Sequence, residues 1–315
     1  MLDTVGLSVP VPCTDSRSLS ALGWDVNKKV KWEETDDDDE KGKWRTESWT
    51  AALATDVNGC SVRCAWHGAN NWLSVEASLP KLVHGRNDVI LDWTETATAI
   101  DRLTSDIVPD LVHRDLGAID RWHYYRLDPV WAWDVEPGPY IDALGTARLP
   151  RTVISRYGTS VIWRTSSSKR RQVAKVYDKA AEEGRAVELP TRLELQVKPR
   201  NRKWVIGGHT LEGKATELTR PLVIGLLKDA THQLGLDRPI QTPAAALASL
   251  VSYHGKRKGA NLYDSLLAYR QRNGARPGHY SERKCRRIER DFRLAGIGAV
   301  CDDGELPALA IGIVA

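Results

Sequence analysis

The chain has 315 residues, of which 42% are hydrophobic, and its formal net charge is +4. This length suits one large or two ordinary domains with a buried core. No run of about 18 apolar residues occurs, so we expect no membrane-spanning helix. Residues 1–12 lack the basic start and apolar stretch of a signal peptide, so we expect a soluble cytoplasmic protein.

The first two thirds of the chain carry short runs of alternating polar and apolar residues, which are typical of antiparallel strands. Two helices interrupt them, one over about 94–107, ending before Pro109, and one over about 139–147. Clustered strands with few helices indicate an α+β fold with a largely antiparallel sheet and flanking helices. The predicted strands are 3–9, 60–66, 72–79, 119–133, 160–164, 172–177 and 188–197.

Three local patterns have more than one interpretation. The acidic run 33–42 lies between two strand candidates and predicts an exposed hairpin loop. Cys60, Cys64 and His67 are close enough in sequence for a zinc site, but they lie in a strand-like run without a second ligand pair. Ordinary strand residues are therefore the simpler interpretation.

All twelve tryptophans lie between Trp24 and Trp204, and this composition shift predicts a first domain over residues 1–205 and a second over 206–315. The second domain is predicted to be mostly helical, with a terminal strand over 306–314. A basic helix, a glycine turn and a strand at its end are typical of a winged-helix module. The predicted helices are 218–234, 243–254, 261–272 and 281–294, with Ser281 as N-cap.

The second domain also concentrates positive charge. Residues 251–293 contain twelve basic and four acidic residues, so their net charge is +8 against +4 for the whole chain. A basic surface of this kind suits DNA, although a solvated helical face is the plainer alternative.

Polar side chains recur on three of the predicted strands. Alternation places Arg126 with Asp128, Tyr177 with Lys179, and Arg192 with Glu194, each pair on one face of its strand. A tyrosine can attack a phosphodiester, and carboxylates can hold a divalent cation that neutralises the phosphate oxygens. The residues alone also allow an ordinary amphipathic strand, with Tyr177 packed and Lys179 at the surface.

At these residues the sequence resembles the replication initiators of filamentous phages, of the gene II type, and the related plasmid initiators that use one tyrosine. Residues 78–87 are similar to a Ser-Leu-Pro-Lys-Leu…Gly-x-Asn turn, and 126–128 to an Arg-Ile/Leu-Asp strand. Further similarity is found at residues 2–10, in 160–179 with its Tyr-x-Lys ending, in 191–194, and in the arginine-rich segment 281–297.

The resemblance implies a replication-initiator nuclease-like sheet in which Tyr177 is the nucleophile and Lys179 assists at the phosphate. It implies Mg²⁺ or Mn²⁺ held by Asp128, Glu194 and, less firmly, Glu76. The chain has no His-hydrophobic-His triplet, which favours these hard cations over zinc. The DNA contacts that we predict are Arg126, Arg192, Lys169, Arg170, Arg283, Arg286, Arg287 and Arg290.

The implied function is a replication initiation protein, a metal-dependent, site-specific DNA endonuclease and ligase. It would nick origin DNA, duplex and single-stranded, through a 5′-phosphotyrosine and start rolling-circle replication of a phage or plasmid with a host helicase and DNA polymerase in a bacterial cell. A relaxase of an integrative element and a non-cutting DNA-binding regulator stay open as alternatives. Tyr124, Tyr125 and Tyr157 stay open as a second tyrosine.

Overall fold

A computed structural model of the chain describes residues 1–11, 16–34, 43–67, 71–147, 152–165, 172–198, 204–206 and 209–312. Ten strands form one sheet, in which every neighbouring pair is antiparallel. They are β1 (Leu2–Pro10), β2 (Asp25–Glu34), β3 (Lys43–Val57), β4 (Cys60–His67), β5 (Trp72–Ser78), β6 (His123–Trp133), β7 (Thr152–Tyr157), β8 (Ser160–Thr165), β9 (Gln172–Asp178) and β10 (Thr191–Val197). Their order across the sheet is β2-β3-β4-β5-β1-β6-β10-β9-β8-β7. A separate hairpin pairs β11 (Trp204–Ile206) with β12 (His209–Leu211).

The helices lie between the strands and after the last of them. They are α1 (Ser16–Ala21), α2 (Leu79–His84), α3 (Trp93–Arg102), α4 (Val108–Val112), α5 (Pro137–Gly145), α6 (Lys179–Glu183), α7 (Arg220–Leu234), α8 (Pro243–His254), α9 (Lys256–Arg270) and α10 (Glu282–Leu294). Within the described ranges, no helix is long and apolar enough to cross a membrane.

The two faces of the sheet differ because side chains alternate along each strand. On β1, Val5, Leu7 and Val9 are buried in one apolar cluster with side chains of α2, α5 and α7. The other face carries polar rows that cross the sheet in register. In one row Tyr177 of β9 is opposite Arg192 of β10, so these two side chains lie on the same face.

The last three helices have an apolar core of their own. Leu250 of α8, Leu266 of α9 and Phe292 of α10 belong to a second buried cluster, whereas Val223 and Leu227 of α7 belong to the cluster of the sheet. Apolar packing therefore changes between α7 and α8. The domain boundary that the tryptophans place near residue 205 stays a prediction.

The α+β class with an antiparallel sheet is confirmed, and three sequence predictions need correction. The helix predicted to end before Pro109 continues, because a π-helical turn, Leu103–Ile107, joins α3 to α4. Pro109 is the second residue of α4 and comes directly after the π-helical turn. The strand predicted over 306–314 is wrong for its described part, 306–312, where Leu306 pairs with Ile240 in an isolated bridge. The predicted helix 261–272 starts earlier, at Lys256.

Two further sequence patterns lie in or between the strands β2, β3 and β4. Cys60 and Cys64 point into the core from β4, while His67 lies on the opposite face beside Ser74, so the three do not form a site. The strands β2 and β3 pair as the arms of a hairpin. Its acidic loop, residues 35–42, lies outside the described residues.

The contact between α8 and α9 depends on one glycine. A methyl group at Gly259 would lie 2.6 Å from Val251 Cα and 2.7 Å from the Leu250 carbonyl oxygen. We expect Gly259→Ala to lower the free energy of unfolding by about 1–3 kcal/mol, because backbone atoms of α8 would have to move. The matched control is Gly225→Ala in α7, where nothing lies within 4 Å. It should raise stability by roughly 0.5–1 kcal/mol. Urea denaturation measures both, and equal effects would contradict the close-contact argument.

Candidate active site

Tyr177 lies on the polar face of the sheet, held by an acid and a cation. Its hydroxyl donates to Glu194 Oε2 at 3.3 Å, and Lys175 Nζ lies 3.7 Å from the centre of its ring. Register explains both contacts, because Lys175 of β9 is directly opposite Glu194 of β10. Burial raises the pKa of the Tyr177 phenol far above its ordinary value, since the side chain is only 3% exposed. The residue is therefore protonated and enclosed in this arrangement.

Carboxylates crowd the neighbourhood of Tyr177. The pKa of Glu194 is raised to about 7, chiefly by burial and in addition by the nearby charges of Asp3 and Asp128. Burial also raises the pKa of Asp128, against the opposing effect of Arg126. A proton or a cation is therefore favoured at this point of the sheet.

Asp3, which sequence reasoning missed, lies near Glu194 and Asp128. It does so because β1 contains a bulge. Leu2 is opposite Pro129 and Thr4 is opposite Asp128, so β1 has one extra residue there. Leu2 and Val5 are both fully buried, although strict alternation would place them on opposite faces. The sequence signal was the one charged residue in β1.

Arg126 joins two of the predicted metal ligands. Its Nε donates to both Asp128 oxygens at 3.0 and 3.1 Å, and its Nη1 donates to Glu76 Oε2 at 2.9 Å. Gly6 makes room for this, because a methyl group there would lie 2.9 Å from both Arg126 Cβ and the Tyr125 ring. Among the described residues, no three acidic, histidine or cysteine side chains are grouped so that they could hold a metal ion. In this structure Asp128, Glu194 and Glu76 thus supply the donors of a metal site without its geometry.

Lys179 is an anchor in this arrangement. The side chain is buried, and its Nζ donates to Asn87 Oδ1 and Glu182 Oε2, both at 2.7 Å, and lies 2.6 Å from Glu183 Oε1. These three acceptors match the three ammonium hydrogens. Lys175, which sequence reasoning left out of the site, is the cation that contacts the tyrosine ring.

Arg192 is also buried, and it binds protein groups. It donates through Nη1 to the Asn87 carbonyl oxygen and through Nη2 to Asp3 Oδ1, the latter at 3.1 Å. Asn87 therefore connects the turn after α2 to both Lys179 and Arg192. Lys169 and Arg170, two other predicted DNA contacts, lie outside the described residues.

The predicted DNA contacts of the second domain lie together on α10. The helix begins after Ser281, whose hydroxyl accepts from the Lys284 N–H at 3.2 Å, which confirms the predicted cap. Its apolar side, with Ile288 and Phe292, packs in the second cluster. Its basic side borders a groove of about 650 Å³ lined by Ser281, Arg283, Lys284, Arg286, Arg287, Arg290 and Arg293. Arg286 also forms an ion pair with Glu282.

Comparisons with known proteins give little. No family model and no curated protein matches the chain. One solved structure, a rolling circle replication initiator protein from Geobacillus stearothermophilus, is similar over 84% of this chain and 95% of that chain, with 11% identity and a TM-score of 0.25. A TM-score this low does not establish a shared fold.

The ion pair of Arg192 and Asp3 allows a test of the buried charges around Tyr177. We expect Asp3→Asn to destabilise the protein toward the lower end of about 3–5 kcal/mol, because a buried guanidinium would lose its counter-charge while Glu194 would lose a repelling neighbour. The matched control is Arg86→Ala, which removes an exposed partner of Asp88 and should cost about 0–1 kcal/mol. Urea denaturation decides, and equal costs would show that the buried pair is not needed.

Proposed function

We propose that this chain is a DNA-nicking enzyme that starts rolling-circle replication, with Tyr177 as its nucleophile. One observation carries the proposal: the Tyr177 hydroxyl is hydrogen-bonded to Glu194 within a group of buried carboxylates. A buried tyrosine hydroxyl takes a hydrogen-bond partner, and here that partner is a carboxylate, with Lys175 against the ring. A carboxylate at this position can take the phenolic proton, and the lysine can offset the charge that then develops, which supports the proposal.

The proposed reaction uses these contacts. Tyr177 Oη attacks the phosphorus, and the bond from phosphorus to the 3′-oxygen breaks. Glu194 Oε2 lies where it can accept the phenolic proton, and the leaving 3′-oxygen takes up a proton to become a 3′-hydroxyl. Lys175 stabilises negative charge on the phenol. The phosphotyrosine conserves the energy of the broken bond, so a returning 3′-hydroxyl can reverse the step and seal the strand.

A divalent cation, Mg²⁺ or Mn²⁺, belongs to the proposal, with Asp128 and Glu194 as the residues that would hold it and Glu76 as a third. Carboxylate oxygens are the ligands that these ions prefer. When bound, the ion would neutralise the non-bridging phosphate oxygens. The present arrangement does not yet fit it, because Arg126 occupies Asp128 and Glu76.

The basic side of α10 is the proposed grip on duplex DNA. It lies on the third helix of a small unit whose other two helices, α8 and α9, share its apolar core. A helix of this kind fits the major groove in helix-turn-helix proteins. We infer that the unit of α8, α9 and α10 binds origin duplex through the basic side of α10, while the sheet acts on a single strand. A host helicase and polymerase then use the free 3′-hydroxyl.

The chemistry is tested by a covalent-adduct assay. Wild type, Tyr177→Phe and Tyr157→Phe are incubated with labelled single-stranded DNA of random sequence and Mn²⁺ or Mg²⁺, then separated on a denaturing protein gel. We expect labelled protein with wild type and Tyr157→Phe, and none with Tyr177→Phe, because the phenylalanine has no attacking oxygen. A chelator should abolish the band if a cation is required.

Other outcomes of this assay would indicate a different nucleophile or a different function. A band that persists with Tyr177→Phe would move the nucleophile elsewhere. No band with wild type, together with firm duplex binding, would favour a DNA-binding regulator that does not cut.

The duplex grip is tested separately by charge reversal. We expect Arg283→Glu with Arg287→Glu to weaken duplex binding and to lower the slope of log K against log salt by about 0.9 for each lost phosphate contact. The control reverses two exposed charges outside α10, Arg102→Glu and Lys228→Glu, and has the same net charge. Fluorescence anisotropy over a salt series measures both. Equal losses would assign the binding to net charge and not to α10.

A further inference from the structure

The hairpin of β7 and β8 extends the face that carries Tyr177 to the edge of the sheet. Tyr157 is opposite Ser160, and Ser160 is opposite Tyr177, so these three side chains lie on one face. Neighbouring strands are about 4.8 Å apart, which places Tyr157 about 10 Å from Tyr177 along the sheet. The strand β7 is the last in the sheet order.

This end of the face exposes an aromatic and an aliphatic side chain beside a cation. Tyr157 is 54% exposed and Val153 is 57% exposed, and Arg164, which is directly opposite Val153, is exposed as well. The hydroxyl of Tyr157 is hydrogen-bonded to Arg164 and Ser155, and these bonds lower its pKa. These bonds place the hydroxyl beside Arg164.

The exposed side chains belong to a hairpin whose other face is well packed. Val161 and Trp163, on the opposite face of β8, are buried in the core of the sheet. Trp24, Trp66, Trp122 and Trp131 are also buried, so these tryptophans do not offer a stacking surface. An exposed aromatic ring next to a cation, in line with a candidate nucleophile, has the composition of a surface that binds single-stranded nucleic acid.

We propose that the face formed by Tyr157, Val153 and Arg164 binds the single-stranded DNA next to the nicked phosphate, with Tyr157 stacking on a base and Arg164 contacting a phosphate. The inference rests on the proposed function. Single strands bind where aromatic rings take bases and cations follow the backbone. The strand has to pass Tyr177, and about 10 Å corresponds to roughly three stacked nucleotides at about 3.4 Å each.

The experiment separates the ring of Tyr157 from its hydroxyl. Binding of a labelled oligothymidylate to the full-length protein is measured by anisotropy in the presence of a chelator, so that no cleavage is needed. We expect Tyr157→Ala to weaken binding about 5- to 10-fold, the lower part of the range for one stacked base, and Tyr157→Phe to bind like wild type. The control is Tyr253→Ala on α8, a tyrosine that is 56% exposed, and it should have no effect.

A second readout concerns the cation. Arg164→Ala should lower the salt slope for the oligothymidylate by about 0.7, the value for one phosphate contact on a single strand. Circular dichroism checks that the variants fold, which their exposed positions favour.

Several outcomes would overturn the inference. These are wild-type affinity in Tyr157→Ala, a loss in Tyr157→Phe equal to that in Tyr157→Ala, an equal loss in Tyr253→Ala, or no binding by wild type. The adduct assay is independent of this one. An adduct at Tyr177 with unchanged binding in Tyr157→Ala rejects the stacking surface alone, and the reverse result rejects the nicking chemistry alone.

Discussion

The structure depends on the balance of buried charge on one face of the central sheet. Two guanidinium groups, of Arg126 and Arg192, face four carboxylates, those of Asp3, Glu76, Asp128 and Glu194. A buried charge without a partner costs several kcal/mol, so the strands that carry these residues must stay in register. Burial is the main cause of the raised pKa of Glu194, and the neighbouring charges of Asp3 and Asp128 add to it. A phosphate that enters this site requires additional positive charge, which is the physical case for a divalent cation in the proposed reaction.

The two faces of the sheet differ in what they carry. Helices cover the face that carries Val5, Leu7 and Val9, and that packing holds the strands in place. The polar face is then free to carry a tyrosine, a lysine and carboxylates in fixed register. Asn87 adds a tertiary contact, since it binds Lys179 and Arg192 from a turn far away in sequence. Backbone pairing thus fixes the positions of the site residues on β6, β9 and β10. Buried ion pairs then hold their side chains.

Much of this could be predicted from the sequence where the signal is local. Alternation located β1, β4, β5, β8 and β9, and Ser281 with the stripe of Ile288 and Phe292 located α10. Asp3 was missed because a bulge changes which face a residue takes, and alternation assumes that there is none. The short helices α2 and α6 were missed because six and five residues are too few for a helical period. The anchoring of Lys179 could not be foreseen, because its partner Asn87 is 92 residues away.

Arg126 and Arg192 differ in how readily each could exchange its carboxylate partner for another anion. The pair of Arg192 and Asp3 has side-chain exposures of 1% and 10%, and Arg192 is also tied to the Asn87 carbonyl oxygen. The pair of Arg126 and Glu76 has exposures of 20% and 27%, so water and an incoming phosphate can reach it. If Arg126 turned from Asp128 to a phosphate, both Asp128 oxygens would become available to other partners, a cation among them. Arg192 would then be the fixed support, and Arg126 the group that changes partner.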